Sequence, residues 1–246
     1  MARNKIKDIW ERDKIAIVVA GSGLYLRALI EGFFSLPADN RIPITDNRTP
    51  TGTLYKKLTE IDPATANKLH PNDRMRIIRA IEVYELTGIQ MSDLKTNREP
   101  FDCSPIYIGL NMHRDALYER IDKRVDKMID NGLLDEVKKL VSIYSPELNA
   151  LQTIGYKELV SYLLGAERKS CSGGDNEITL DQAISLIKRN TRRYAKRQLT
   201  WFKSIQGIHW IELPDPQTKC RAVVTLQIVD KCISLICENL SPISNL

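Results

Sequence analysis

Three short apolar runs along the chain have the pattern of buried strands in a parallel sheet. Residues 15–20 form an unbroken apolar run rich in β-branched side chains, and residues 106–110 and 208–211 form two more. Parallel strands covered on both faces typically show such continuous apolar runs. The first run leads directly into Gly21-Ser22-Gly23 and a helix-like stretch at residues 24–30. Strand, glycine turn and helix in this order are typical of an α/β nucleotide-binding domain.

The part of the chain between the first two runs has helical patterns instead. Residues 54–69 and 74–86 show helical spacing of apolar positions, and Thr87-Gly88 predicts the end of the second stretch. These patterns predict an α/β core that is interrupted by an all-helical insertion. The core is assigned to residues 1–36 and 101–246, and the insertion to residues 37–100.

The C-terminal half predicts four more helices, at residues 117–128, 133–141, 183–203 and 223–236. A connector rich in proline is predicted at residues 33–50. A polar surface loop is predicted at residues 167–177, and residues 241–246 read as a polar tail that does not order itself.

Composition places the chain among ordinary folded proteins of the cytosol. Hydrophobic residues make up 43% of the sequence, which is enough for a packed core. The five cysteines form no CxxC pair and the three histidines lie far apart, so no zinc-ligand spacing is visible. No signal peptide or membrane-spanning run is found. A net charge of +5 is only a mild excess, so the position of the basic residues matters more than their sum.

Basic residues concentrate on the predicted helix at residues 183–203. Its apolar stripe, at spacings of three and four, consists of Ile184, Ile187, Thr191, Tyr194, Gln198 and Trp201. Its basic flanks are Lys188, Arg189, Arg192, Arg193, Lys196, Arg197 and Lys203. Such a helix can lie along a phosphate backbone, although basic runs also occur on solvated surface helices. Because Arg192 and Arg193 leave little room for acidic partners one turn away, the pattern favours contact with nucleic acid or diphosphate.

Five collinear segments resemble the motifs of bacterial tRNA dimethylallyltransferases. The longest, NTRRYAKRQLTWF at residues 190–202, resembles the family signature NTRRYAKRQxTWF. The others are residues 20–25 (family GGTGLY), 70–79 (HPND-x-QRxxRA), 117–128 (LYERIxxRVDxM) and 152–158 (QxIGYKE). Their order and spacing agree from about Lys5 to Leu213. Five motifs in order are far more specific than any one of them.

The resemblance implies a fold, a reaction and a set of partners. The family has a P-loop NTPase-like α/β core, built on a parallel sheet, with an all-helical insertion domain. It transfers a dimethylallyl group from dimethylallyl diphosphate to N6 of the adenosine just 3′ of the anticodon, with Mg²⁺ assisting. The expected partners are therefore the tRNA anticodon stem-loop and dimethylallyl diphosphate. A cytoplasmic monomer, without membrane contact, is expected for the complete protein.

Two catalytic parts of the family have no counterpart in the printed sequence. No GxxxxGK[S/T] motif occurs in it, and the family aspartate that serves as general base after that motif is also absent. We therefore expect the core to lack its N-terminal P-loop unit and the 246-residue chain alone to show no transferase activity. Residues 15–19 would then form an unpaired strand edge, which favours poor solubility or dimerisation.

The glycine turn is the first predicted diphosphate site. Gly21, Ser22 and Gly23 match the family turn, with Ser22 in place of a threonine. The resemblance implies that its hydroxyl binds diphosphate or the reacting adenosine. The alternative is ordinary turn chemistry.

The predicted helix at residues 117–128 supplies the second diphosphate site. Arg124 stands where the family has its diphosphate-binding arginine, and Arg120 lies one turn earlier on the same face. The resemblance thus makes Ser22 and Arg124 the catalytic residues that remain. The alternative is that both arginines face solvent and pair with Glu119 or Asp126.

Three stretches match tRNA-contacting segments of the family. Arg76 and Arg79 match arginines of the insertion, although Met75 replaces the glutamine that precedes them in the family. The other predicted contacts are Gln152, Gly155, Tyr156, Lys157, Lys196, Arg197, Gln198, Thr200, Trp201 and Lys203. For Asp73, Tyr25 and Tyr156, helix capping and packing are the expected roles rather than chemistry.

Three other functions compete with an active transferase. One is a tRNA- or RNA-binding remnant of the family without catalysis. Another is an adenylate isopentenyltransferase acting on free nucleotides, which the tRNA-contact motifs argue against. The last is a general RNA- or DNA-binding α/β protein.

Overall fold

A computed structural model describes residues 1–33, 49–96, 98–169, 178–214 and 221–240. The chain divides into two compact units, Met1–Ser104 and Pro105–Leu246. The predicted connector at residues 33–50 lies almost wholly outside the described residues, as do most of the predicted loop at residues 167–177 and the tail at residues 241–246.

The first unit begins with two helices that are tied to the end of the insertion. They are α1 (Ala2–Trp10), which the sequence pattern did not predict, and α2 (Gly23–Glu31). Arg3 donates to the carbonyl oxygens of Leu29 at 2.9 Å and Glu99 at 3.0 Å. Trp10 stacks on Phe101 with ring centroids 5.5 Å apart. These contacts hold α2, and with it the glycine turn, against α1.

The insertion is all-helical, as predicted. It contains α3 (Thr51–Ile61), α4 (Pro63–Ala66), α5 (Arg74–Thr87) and α6 (Met91–Thr96). Gly88 ends α5 in the left-handed conformation, with φ of 69°, which a residue without Cβ adopts at no steric cost. The helices share one apolar core, formed by Leu54, Leu58, Ala66, Ile77, Ala80, Ile81, Val83 and Met91.

The prediction of a buried strand at residues 15–20 is wrong for this structure. The segment has no strand assignment, and its side chains are exposed, Ile17 by 77% and Val19 by 96%. A parallel strand exists only beside a hydrogen-bonded neighbour. Among the described residues the two assigned strands pair with each other, in the other unit, so this segment has no partner there.

The second unit contains a parallel pair of strands, β1 (Ile108–Met112) and β2 (His209–Leu213). Both lie where the sequence predicted strands, with Ile108 opposite His209 in register. A Cβ at Gly109 would lie 2.7 Å from the ring of Trp210. Glycine is therefore required there, because the aromatic ring occupies the space of a side chain.

Four helices between the strands form the core of this unit. They are α7 (Arg114–Asp130), α8 (Leu133–Ile143), α9 (Tyr156–Lys169) and α10 (Leu180–Phe202). Their shared core includes Val125, Val137, Leu159, Val160 and Ile187, each at most 4% exposed. The last helix, α11 (Arg221–Leu240), packs against β2. In the described ranges every helix is too short or too polar to span a lipid bilayer.

Candidate functional site

The glycine turn places a serine at the start of α2. Ser22 is the N-cap residue, and its carbonyl oxygen accepts from the Leu26 amide at 3.1 Å. Its hydroxyl makes no capping hydrogen bond to the helix. An N-cap serine normally uses that hydroxyl on the free amides of the first turn. The Ser22 hydroxyl is therefore not occupied by capping, and the first-turn amides of α2 form the kind of helix start that anions bind.

Tyr25, expected to pack, lies one turn along the same helix and is 73% exposed. The packing role is therefore wrong for the described structure. Its ring projects from the surface of the first unit beside the glycine turn.

The two predicted diphosphate arginines lie on the exposed face of α7. Arg120 and Arg124 are both exposed, and neither has an ion pair in the part of the chain that the structure describes. The carboxylates expected to neutralise them are held elsewhere. Glu119 pairs with Lys123 at 2.6 Å, and Asp126 pairs with Lys188 at 2.6 Å. The arrangement thus leaves two positive charges one turn apart on one helix face.

The other face of α7 is joined to the basic helix by ion pairs. One guanidinium nitrogen of Arg192 lies 2.6 and 2.7 Å from the two carboxylate oxygens of Asp122, and the group lies 5.8 Å from the Tyr118 ring centroid. With the pair between Lys188 and Asp126, two cations of α10 are used internally. The sequence showed no acid beside Arg192 on its own helix, but the tertiary structure supplies one from α7.

The cations that follow Arg192 on α10, together with Lys203 at its C-cap, stay on the surface. Arg193, Lys196, Arg197 and Lys203 are exposed, and among the described residues they form no ion pairs. The predicted buried stripe holds at Ile187, which is 1% exposed, but not at Tyr194, which is 41% exposed. Arg197 instead lies over the Tyr194 ring at 5.7 Å. The C-terminal half of α10 therefore presents an aromatic ring and several cations to solvent.

The end of α10 carries the other predicted tRNA contacts. Trp201 and Phe202 meet edge to face at 5.1 Å, and both are half-buried. Gln198 is half-buried as well, while Thr200 is exposed and donates its hydroxyl to the Lys196 carbonyl at 3.0 Å. These residues thus continue the surface begun by Lys196 and Arg197.

The arginines of the insertion lie on α5, in the first unit. Asp73 caps this helix through the Arg76 amide, as expected, and also pairs with the Arg76 side chain at 3.3 Å. Arg79 pairs with Glu82 at 3.3 Å. Both guanidinium groups are exposed, and Met75, in place of the family glutamine, is 77% exposed. Here the basic side chains are partly neutralised by acids on their own helix.

The loop before α9 contains the third predicted tRNA-contact stretch. Gln152 donates to the Pro146 carbonyl at 2.9 Å. Tyr156 packs against the core and donates its hydroxyl to Glu136 at 2.7 Å, in agreement with a packing role. That hydrogen bond, burial and the charge of Glu136 together raise the pKa of the Tyr156 hydroxyl. Lys157 remains 42% exposed.

A buried carboxylate that the sequence analysis did not single out lies beneath this loop. Glu158 is 5% exposed. It accepts from the Gly155 amide at 2.8 Å and from the Asn190 side chain of α10 at 2.7 Å. The only sequence signal was its place at the third position of a helix after a glycine, where a glutamate can reach back to the N-cap amide.

The described residues do not form a metal-binding cluster. No group of three or more His, Cys, Asp or Glu side chains in the described ranges could hold a metal ion. Mg²⁺ is commonly bound by one or two carboxylates together with substrate phosphates. The described side chains thus offer no carboxylate-rich site for Mg²⁺.

The second unit combines a parallel strand pair connected through helices with a basic helix and two arginines that have no ion pair among the described residues. These features define an α/β protein suited to phosphate groups. The family follows from comparison with known proteins. The family model described as IPP transferase matches residues 1–205, so this chain belongs to that family.

Curated relatives cover most of this chain. It is 44% identical over 223 residues to a tRNA dimethylallyltransferase 2 of Geotalea daltonii, covering 87% of this chain and 64% of the relative. It is 43% identical over 226 residues to a tRNA dimethylallyltransferase of Symbiobacterium thermophilum, covering 88% and 67%. The chain thus spans about two thirds of the length of these relatives.

Solved structures agree with the fold class. The full-length tRNA isopentenylpyrophosphate transferase of Bacillus halodurans is 34% identical, with a TM-score of 0.60, and the match covers 100% of this chain and 74% of that one. A eukaryotic dimethylallyltransferase acting on tRNA is 28% identical, with a TM-score of 0.69, and the match covers 95% and 60%. The fold is therefore that of the tRNA isopentenyltransferases, a P-loop NTPase-like core with a helical insertion. The grouping of Ser22 with Arg124 and the assignment of tRNA contacts stay predictions.

Proposed function

We propose that this protein acts in the prenylation of tRNA. The reaction would transfer a dimethylallyl group from dimethylallyl diphosphate to N6 of the adenosine 3′ of the anticodon. Ser22 and Arg124 would act on the diphosphate, and α5, the loop at residues 152–157 and the end of α10 would bind the anticodon stem-loop. Mg²⁺, a cytoplasmic location and a monomeric state belong to the same proposal.

The observation that carries the proposal is the family match over residues 1–205. It includes both the stretches proposed for diphosphate and those proposed for tRNA. Relatives 43–44% identical to this chain bear the name of the proposed activity. A general nucleic-acid-binding protein would not require this succession of motifs.

The charge distribution supports the same reaction. As the carbon–oxygen bond of the diphosphate ester breaks, negative charge grows on the leaving group. Arg124 is suited to that charge, because a guanidinium group can hold two phosphate oxygens and stays ionised throughout. Its lack of an ion pair in the described structure leaves it available for this role.

The experiment tests binding and transfer separately. Binding is measured with the 246-residue chain, an unmodified tRNA with adenosines at and beside the target position, and a duplex DNA of equal length. We expect preference for tRNA and a steep loss of affinity with salt, because phosphate contacts release counterions. Equal affinity for both nucleic acids would contradict tRNA recognition.

Transfer is measured with the chain joined to a P-loop segment of the kind that the family resemblance implies, because no GxxxxGK[S/T] motif occurs in the printed sequence. The mixture contains Mg²⁺, dimethylallyl diphosphate and tRNA, and prenylated adenosine is quantified after nuclease digestion. Prenylated adenosine above the control without protein is expected. Prenylation of free adenosine monophosphate but not of tRNA would instead support an adenylate isopentenyltransferase.

A further inference from the structure

We infer that Glu158 and Asn190 form a positioning pair that fixes the loop at residues 152–157 on α10, so that two tRNA-binding stretches act as one surface. The inference rests on the function proposed above and extends it. Neither residue is among the predicted tRNA contacts. Their role is to hold those contacts in place.

Burial and hydrogen bonding set Glu158 apart in the second unit. It is the one charged residue among the described residues of this unit that is buried, at 5% exposure. A buried carboxylate requires hydrogen-bond donors, because its lone pairs are no longer solvated by water. Its two oxygens have different donors. One accepts from the Gly155 amide at 2.8 Å, and the other accepts from the Asn190 side chain at 2.7 Å. The Lys157 ammonium lies 3.9 Å from the oxygen that Asn190 contacts.

The donors belong to two separate segments. Gly155 lies in the turn just before α9, with φ of +100°, a conformation that glycine adopts readily and other residues rarely do. Asn190 lies in the middle of α10, in the basic segment that contains the family signature. One carboxylate therefore ties this turn to the basic helix.

The turn is held in part by packing, because Leu151 and Tyr156 on either side of Gly155 contact the core. A cavity of about 390 Å³ opens beside it and is lined in part by Gln152, Lys157, Glu158 and Asn190. The two hydrogen bonds of Glu158 join the turn directly to α10, and the position of the neighbouring Lys157 depends on them.

The amide chemistry of the pair allows a rescue experiment. Glu158→Ala removes both acceptors. Glu158→Gln can keep both contacts, because its oxygen can accept from Gly155 and its nitrogen can donate to a rotated Asn190 side chain. Asn190→Asp places two carboxylates against each other. The double variant Glu158→Gln with Asn190→Asp restores one donor and one acceptor between the side chains.

The test measures affinity of the 246-residue chain for the unmodified tRNA, together with thermal unfolding and the Gly155 amide resonance. We expect Glu158→Ala and Asn190→Asp each to weaken tRNA binding roughly tenfold, since each leaves a buried polar group unpaired. Glu158→Gln and the double variant should bind within about threefold of the parent protein. Glu147→Ala is the matched control, an exposed acid that lines the same cavity, and it should leave affinity unchanged.

The outcomes separate the two proposals. A parent protein that shows no preference for tRNA would overturn the proposed function and this inference with it. A parent protein that prefers tRNA, with unchanged affinity in Glu158→Ala, would overturn the inference alone. If Glu158→Ala does not fold, failure of the double variant to recover the affinity lost in Asn190→Asp would overturn it equally. In the fused transferase, Glu158→Ala should raise KM for tRNA and leave KM for dimethylallyl diphosphate unchanged, a split that general destabilisation would not produce.

Discussion

Two pairs of arginines on helix surfaces differ in whether they are neutralised. On α5, Arg76 and Arg79 each pair with an acid three residues away, at 3.3 Å in both cases. On α7, Arg120 and Arg124 have no acid three or four residues away along the helix, and the nearby acids pair with lysines instead.

The contrast suggests different tasks for the two pairs. Exposed ion pairs along a helix contribute only a few tenths of a kcal/mol, so the α5 arginines can exchange their carboxylates for phosphates at small cost. Such sites suit a large polyanion with many weak contacts. The α7 arginines have no competing partner among the described residues, which suits a small ligand with concentrated charge.

The largest expected effect is that of Arg124→Ala, measured in the fused transferase. We expect prenyl transfer to fall at least tenfold, about 1.4 kcal/mol or more, because the variant cannot neutralise the departing diphosphate. Lys127→Ala, on the same helix and likewise exposed, is the matched control and should stay near the parent rate. Unchanged turnover of Arg124→Ala at saturating substrates would show that the free charge on α7 has no catalytic role.

The next largest effect concerns the stability of the helical insertion that carries the α5 arginines. Asp62 is 1% exposed and accepts from the amides of Thr65 at 2.9 Å and Ser92 at 3.0 Å, which ties α4 to α6. Burial by itself raises the pKa of the Asp62 carboxyl, but the hydrogen bonds from Thr65 and Ser92 outweigh it and the net pKa is lowered. Asp62→Asn keeps one acceptor and should reduce the free energy of unfolding by about 1 kcal/mol at neutral pH.

The lowered pKa of Asp62 also determines how the difference in unfolding free energy between the parent protein and Asp62→Asn depends on pH. The contribution of Asp62 is fully present above the unfolded-state pKa, about 3.9, and is lost as pH falls through the lower folded-state value. Urea unfolding at several pH values should therefore show the parent protein and Asp62→Asn converging only in acid. A constant difference down to the lowest pH at which the protein folds would contradict the lowered pKa.

A smaller effect is expected when Arg124 of α7 is given an acid three residues away, as the arginines of α5 have. Lys127→Glu places an exposed acid three residues after Arg124. The new pair should be worth about 0.5 kcal/mol and should lower transfer about twofold, with the loss partly reversed by salt. Lys127→Gln removes the lysine without adding an acid and serves as the control. Equal loss in both variants would mean that pairing of Arg124 is not the cause.

The smallest effect is the converse change on α5. Glu82→Gln frees Arg79 from its partner, and we expect tRNA affinity to rise by about twofold or less. Filter binding at low salt is the measurement. Weaker binding would show that Glu82 orients Arg79 for tRNA rather than competing with it.

Much of the fold was predictable because the decisive signals are local. The helical spacing of the insertion, the turn at Gly88 and the two strand runs at β1 and β2 were all readable from the sequence. The segment at residues 15–20 had an equally strong strand pattern and is exposed instead. A strand differs from a helix in that its hydrogen bonds lie in another segment, so a local pattern cannot guarantee it.

The family motifs, the helices and the charge relations within each helix can be read from the amino-acid sequence alone. Arg76 and Arg79 each have an acid three residues away, whereas Arg120 and Arg124 of α7 have none at that spacing. The sequence alone therefore predicts this contrast. Which cations of α10 form internal ion pairs depends on the tertiary fold, since Asp122 lies 70 residues from Arg192 along the chain. The tertiary fold likewise places Glu158 between Gly155 and Asn190. Contacts between distant segments depend on how the helices pack, and helical periodicity records which face is buried but not which neighbour buries it.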